Sequence, residues 1–298
     1  MSRLIPVIYR NINFPSKIKA NIHEVAGNFD VEKLSVDVPY SLHTEYSYGG
    51  REFNSKIIKD LKHITKAQKN KIPQLWYNKE WAKDFFKFIK RIIGSNKPPE
   101  VLEIHPPFND YCDTFDQFLK TFNVFYEKFN KKYPTTKILI ENRFGTRYKG
   151  GKFLLSTCCD ILEFCKVLKR EKINLKIVLD YPQLFSAEIN EDKLKMDDIK
   201  LEKEKIISFN LELKKYKALI GGLHMWGKIK NGNVWTPHAG NFNTFFSNNK
   251  KLKKEFLSSV SSTFNDRIAR YFVPEINSGQ KDLHSIVADM ESAKFIFH

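Results

Sequence analysis

The stretch Lys176-Ile177-Val178-Leu179-Asp180-Tyr181-Pro182-Gln183-Leu184 decides how the rest of the chain is read. Three apolar residues, two of them β-branched at Ile177 and Val178, run straight into a carboxylate, and Pro182 stops the element. A buried parallel strand that delivers one acidic side chain to its C-terminal rim has this form. The same grammar recurs in both directions. Val101-Leu102-Glu103-Ile104 ends at His105, and Lys137-Ile138-Leu139-Ile140 ends at Glu141, Asn142 and Arg143. Ala218 to Leu223 ends at His224 with Trp226 just beyond, and Arg270-Tyr271-Phe272-Val273-Pro274 ends at Glu275. Earlier, Lys33-Leu34-Ser35-Val36 ends at Asp37.

Helical periodicity fills the gaps between these runs. Apolar residues at helical spacing predict helices over 54–69, 78–93, 114–131, 156–169, 202–215, 250–264 and 283–295. Gly94 is placed to end the second, and Ser156 or Thr157 to cap the fourth. Leu4 to Tyr9 reads as a first strand, Ala20 to His23 as a weak second and Leu34 to Val38 as a third. The polar, aromatic, glycine-ended run 40–50 reads as a long rim loop. Alternating strand and helix with short connections predicts a parallel sheet with helices outside it. With seven or eight strands and no linker or low-complexity break, the expectation is one α/β domain over 1–298, a (β/α)8 barrel with an irregular N-terminal part.

Composition bounds the partners. Fifty Lys+Arg against 34 Asp+Glu give a formal charge of +16, which suits a polyanion such as DNA, because phosphate contacts release counterions. The competing reading is a Lys-, Asn- and Ile-rich bias spread over solvated helix faces. The four cysteines (112, 158, 159 and 165) have neither disulfide nor zinc spacing and favour a reducing compartment. No apolar run approaches the ~18 residues of a membrane span, and no signal-peptide pattern opens the chain. The expectation is a cytoplasmic protein that does not meet a membrane.

In a (β/α)8 barrel, residues at the C-terminal strand ends converge on one mouth. The expected rim set is Asp37, His105, Glu141, Asp180, His224, His238 and Glu275. Mixed carboxylate and imidazole donors suit Zn, Mn or Fe better than Ca or Mg. Glu141, Asp180, His224 and Glu275 are the expected ligands of one ion, with Asp37 and His105 allowing a second. Glu141, Glu275 and His238 are candidate catalytic groups. Arg143, Lys152, Gln183 and Trp226 are candidate substrate contacts, with Arg147 and Lys149 in the same basic loop and Trp235 near Trp226.

The segments "SVDVPY", "LEIHPPF", "ILIENR", "IVLDYPQLFSAE", "GGLHMWGK", "WTPHAGN" and "VPEI" occur in that order over most of the chain. Together they resemble the xylose isomerase-like TIM barrels, a group that includes endonuclease IV and many sugar isomerases and epimerases. The resemblance places Glu141 on the family's central glutamate, His105 on its early-strand histidine, and His224 and Glu275 on two late ligands. Three positions depart from the endonuclease pattern. Asp37 and Gln183 stand where it has histidines, and Thr236 stands where an aspartate would precede the histidine matched by His238. The endonuclease's third metal site would therefore lack two of its three ligands. The resemblance implies a divalent-metal-dependent hydrolase of phosphodiesters, a DNA endonuclease. The alternatives are a metal-dependent sugar or sugar phosphate isomerase or epimerase and a non-catalytic nucleic-acid-binding barrel.

Overall fold

A computed structural model of the chain describes residues 2–47, 55–145, 148, 150–188, 198–231 and 234–298. Its main sheet contains β1 Ser2–Ile8, β2 Ile22–Gly27, β3 Tyr40–Thr44, β4 Val101–Ile104 and β5 Lys137–Glu141. It continues with β6 Lys176–Asp180, β7 Ile220–His224, β8 Ala269–Val273 and a short β9 Phe295–Phe297. The longer helices are α1 Lys79–Ile93, α2 Phe115–Lys132, α3 Cys158–Glu171, α4 Tyr181–Glu188, α5 Asp198–Leu213, α6 Lys250–Thr263 and α7 Gln280–Ser292. The sheet takes β1 to β8 in chain order and β8 pairs parallel with β1, from Arg3↔Ala269 to Pro6↔Phe272. This is the (β/α)8 class expected from the sequence. The chain divides into two compact units, one of residues 25–175 and one of residues 1–24 with 176–298.

In the 25–175 unit, β3, β4 and β5 pair parallel, with Leu42 opposite Leu102 and Ile104 opposite Ile140. Helix α1 starts at the Asn78 cap, whose side chain accepts from the Trp81 amide, and ends at Gly94 with φ 55°. Thr114 caps α2, and Thr157 with Asp160 forms a capping box on α3. The core is aromatic. Trp76 lies with ring centroids 5.2–5.8 Å from Trp81, Phe85, Phe118, Phe122 and Phe125. Its indole Nε1 donates to the His105 carbonyl at 2.7 Å, tying this core to a strand end.

Two expectations fail in this unit. The third strand is not at 34–38, where only Leu34 is buried and the Leu34 amide bonds to Ile92 O at the end of α1. The strand is Tyr40–Thr44, inside the stretch read as a loop, and all five of its residues are buried. Ser41, His43 and Thr44 masked it, because their polarity is answered inside the fold and not by solvent. The single helix expected over 54–69 is instead two short ones, Ser55–Ile58 and Lys62–Lys66. A hairpin follows, Gln68–Lys69 against Ile72–Pro73, and its two turn residues, Asn70 and Lys71, have φ of 53° and 64°. Strands of two residues are too short to show a period.

In the other unit β6, β7, β8 and β1 pair in turn, and β1 takes β9 along Ser2–Leu4 and β2 at Val7 and Ile8. Helix α4 begins directly after Asp180, with Pro182 in its first turn, where a missing amide costs nothing. Arg270 on β8 is fully buried and makes two 2.9 Å bonds to Asp266 and one of 2.8 Å to Lys217 O. A Cβ on Gly227 would lie 2.5 Å from the Asn241 N and Gly240 C, so only glycine lets those backbones approach. Among the described residues no helix is long and apolar enough to cross a membrane.

Replacing the large buried Trp76 by Ala removes the hub of the aromatic core. We expect Trp76→Ala to cost about 3–5 kcal/mol, read as a lowered denaturant midpoint, while exposed Tyr77→Ala stays within about 0.5 kcal/mol.

Candidate metal centre

Parallel pairing of β3 with β4 sets His43 opposite Glu103, and their side chains approach to 3.4 Å. Side chains two apart on a strand share a face, so Glu103 and His105 point the same way. From β5 comes Glu141, fully buried, with Oε2 2.8 Å from His105 Nε2 and 3.6 Å from His43 Nε2. His43, Glu103, His105 and Glu141 each offer a ligand atom within 4.8 Å of the others, and all four are buried.

The tautomer of His105 is dictated locally. Its Nδ1 lies 3.1 Å from the Glu45 carbonyl oxygen, an acceptor only, so Nδ1 carries the proton. Glu45 is itself fixed, since its carboxylate accepts from the amides of Phe29, Tyr46 and Ser47 at 3.0–3.3 Å. His105 Nε2 then faces the Glu141 carboxylate. Burial holds the imidazole down to a pKa of about 4; the bond to Glu141 opposes this, and the charges of His43 and Arg143 add to it. An imidazole nitrogen and a carboxylate oxygen 2.8 Å apart are bridged by a proton or by a cation, and the second is the donor arrangement of two ligands on one metal ion. Arg143 approaches Glu141 at 3.5 Å and its guanidinium lies 4.9 Å from the Tyr46 ring centroid.

The other unit assembles Asp180, His224 and Glu275 at the ends of β6, β7 and β8, buried and with ligand atoms within 4.8 Å of one another. His224 Nδ1 is 3.4 Å from Glu275 Oε1. Asp180 accepts from the Gln183 amide at 2.8 Å and from Trp226 Nε1 at 2.9 Å. His238 Nδ1 lies 3.0 Å from the Glu275 carbonyl, and its ring stacks on Trp226 at 4.1 Å. His238 and Glu275 both have positive φ, 55° and 24°, a costly backbone for side-chain-bearing residues. Tyr9, just past β1, has its phenol pushed well up, first by burial and then by the charges of Glu275 and Glu24.

Two of the expected site residues lie apart from these groups. Asp37 is exposed in an irregular segment, and Lys152 is exposed with its backbone paired to Asn109. Arg147 and Lys149, and the Trp235 side chain, lie outside the described residues. His43 and Glu103 were passed over by sequence reasoning. Their signal was the two-residue spacing His43/Glu45 and Glu103/His105, hidden because a helix or a surface gives isolated charges just as readily.

No protein-family model matches the chain, and no curated protein does. Among solved structures it is similar to the crystal structure of AsfvAP:AG, at 11% identity and a TM-score of 0.46, over 92% of this chain and 99% of that one. It is also similar to a xylose isomerase domain protein from Planctomyces limnophilus, at 11% identity and a TM-score of 0.41, over 91% and 95%. A third is the probable 3-DHS dehydratase AsbF from Bacillus anthracis, at 11% identity and a TM-score of 0.41, over 92% and 76%.

The depressed His105 sets a pH signature. An unfolded chain takes a proton near pH 6.5 that the folded chain refuses until about 4, so stability is full above 6.5 and drains as pH falls. In chelator-treated protein we expect a loss of about 2–3 kcal/mol between pH 7 and 4.5 by denaturant unfolding, and a flatter profile in His105→Asn.

Proposed function

We propose that the chain is a divalent-metal-dependent hydrolase of phosphodiesters acting on DNA, with one ion held by His43, Glu103, His105 and Glu141 and another by Asp180, His224 and Glu275. The observation that carries this reading is the buried group of His43, Glu103, His105 and Glu141, in which His105 Nε2 lies 2.8 Å from Glu141 Oε2. The donor set is imidazole and carboxylate without thiolate, which suits Zn, Mn or Fe. When bound, such ions supply Lewis acidity toward a phosphate oxygen and make water acidic enough to attack.

The chain's own residues set up that chemistry. The Glu45 carbonyl orients His105, and the Gln183 amide and Trp226 indole orient Asp180. Arg143, beside Glu141, is positioned to donate to a non-bridging phosphate oxygen. His238, its Nδ1 donating to the Glu275 carbonyl, presents Nε2 as the atom that accepts a proton. The +16 charge supplies affinity for the DNA backbone. Two ligand groups among the described residues favour this chemistry over one-ion isomerisation of a sugar.

Elemental analysis of purified protein is expected to give about two Zn, Mn or Fe per chain, with one lost in Glu103→Gln and the other in Asp180→Asn. Nicking of DNA should need the ions, fall by at least about a hundredfold in either variant, and be preceded by binding that weakens steeply with salt. One ion per chain with turnover of a hydroxy-ketone sugar would move the assignment to an isomerase. DNA binding without any metal would leave a barrel that only binds.

A further inference from the structure

Trp226 follows β7 by two residues and is almost fully buried, although it lies at the rim, where aromatic residues ordinarily lend a face to a ligand. Its contacts explain this. The indole Nε1 donates to Asp180 Oδ2 at 2.9 Å, while the Gln183 amide donates to Oδ1 at 2.8 Å. Both carboxylate oxygens of Asp180 are thereby held, and the plane of the group is set. The face of the same indole stacks on the His238 imidazole, 4.1 Å between centroids and 26° between planes. His238 is bonded in turn to the Glu275 backbone. The left-handed conformations of His238 and Glu275 are unfavourable alone, and Asn277 N bonds to His238 O at 2.7 Å to brace the same turn. One side chain therefore touches a carboxylate ligand through its N–H and a candidate proton acceptor through its ring. Lys228, close against the Ser186 hydroxyl, lies 5.7 Å from the Trp226 ring centroid.

We propose that Trp226 is a positioning residue which aligns Asp180 for its ion and His238 for the reaction, and which does not contact substrate. The inference rests on the metal reading above. Groups that orient ligands in this way are typically worth 10–100-fold in metal affinity. The two contacts separate chemically: Trp226→Phe keeps a ring to stack on His238 and loses the donor to Asp180, while Trp226→Leu loses both.

The test is a competition titration with a chromophoric chelator, using Zn²⁺ on metal-stripped full-length protein. In Trp226→Phe, the ion whose binding Asp180→Asn abolishes should weaken by about 10–100-fold, while the ion lost in Glu103→Gln binds as before. The metal-free thermal midpoint of Trp226→Phe reports the lost bond and volume by themselves, so a weakening confined to the Asp180-dependent ion separates positioning from loss of packing. The tryptophan emission change on Zn²⁺ addition, read as a difference between parent and Trp226→Phe, should trace to the Asp180-dependent ion. An unchanged affinity for that ion in Trp226→Phe, or equal weakening of both ions, overturns the inference and leaves the metal reading standing. A parent protein that takes up no ion overturns both.

Discussion

A buried imidazole and a buried carboxylate 2.8 Å apart form the contact around which the 25–175 unit is arranged. Neither group is exposed to water, so the fold must supply what water would. Much of the local structure does so. Trp76 anchors the His105 backbone from the aromatic core, the Glu45 carbonyl fixes the proton on the ring, and three amides fix Glu45. Packing and polarity are here one construction: the ring cluster that stabilises α1 and α2 also aims the donor atom.

The unit of 1–24 and 176–298 solves a similar problem with strain. Asp180, His224 and Glu275 come from the ends of consecutive strands, an arrangement that parallel pairing produces without special loops. The segments that follow are less regular, because the Gly240–Asn241 backbone passes close to Gly227, and His238 and Glu275 adopt conformations normally left to glycine. Such conformations persist only where neighbours over-determine them, and the stacked indole and the Asn277 amide do that here.

Much of this was legible in the sequence, for a physical reason. Strands buried on both faces must be apolar until they reach the rim, so Ile177-Val178-Leu179-Asp180 and Lys137 to Glu141 announced both their element and their polar end. Helices with one apolar stripe and ordinary caps, such as α1 from Asn78 to Gly94, were equally plain. Legibility failed where polar side chains face inward. Tyr40 to Thr44 looks like surface until His43 is seen against Glu103, and no local pattern announces a partner some sixty residues away (103 − 43 = 60). Asp37 followed the strand grammar superficially, but Pro39 and the exposure of 37–39 place it ahead of the strand and not at its end.

The pairing of β1 with β8 also shapes how the molecule is born. Arg3 lies opposite Ala269, 266 positions later (269 − 3), so β1 leaves the ribosome long before the strand it pairs with. At synthesis rates of about 5–20 residues per second, that is roughly 10–50 s with one of its edges unpaired. The 25–175 unit is contiguous in the chain and complete in synthesis well before then. Its cluster of His43, Glu103, His105 and Glu141 can therefore form before residues 176–298, which carry Asp180, His224 and Glu275, have been made.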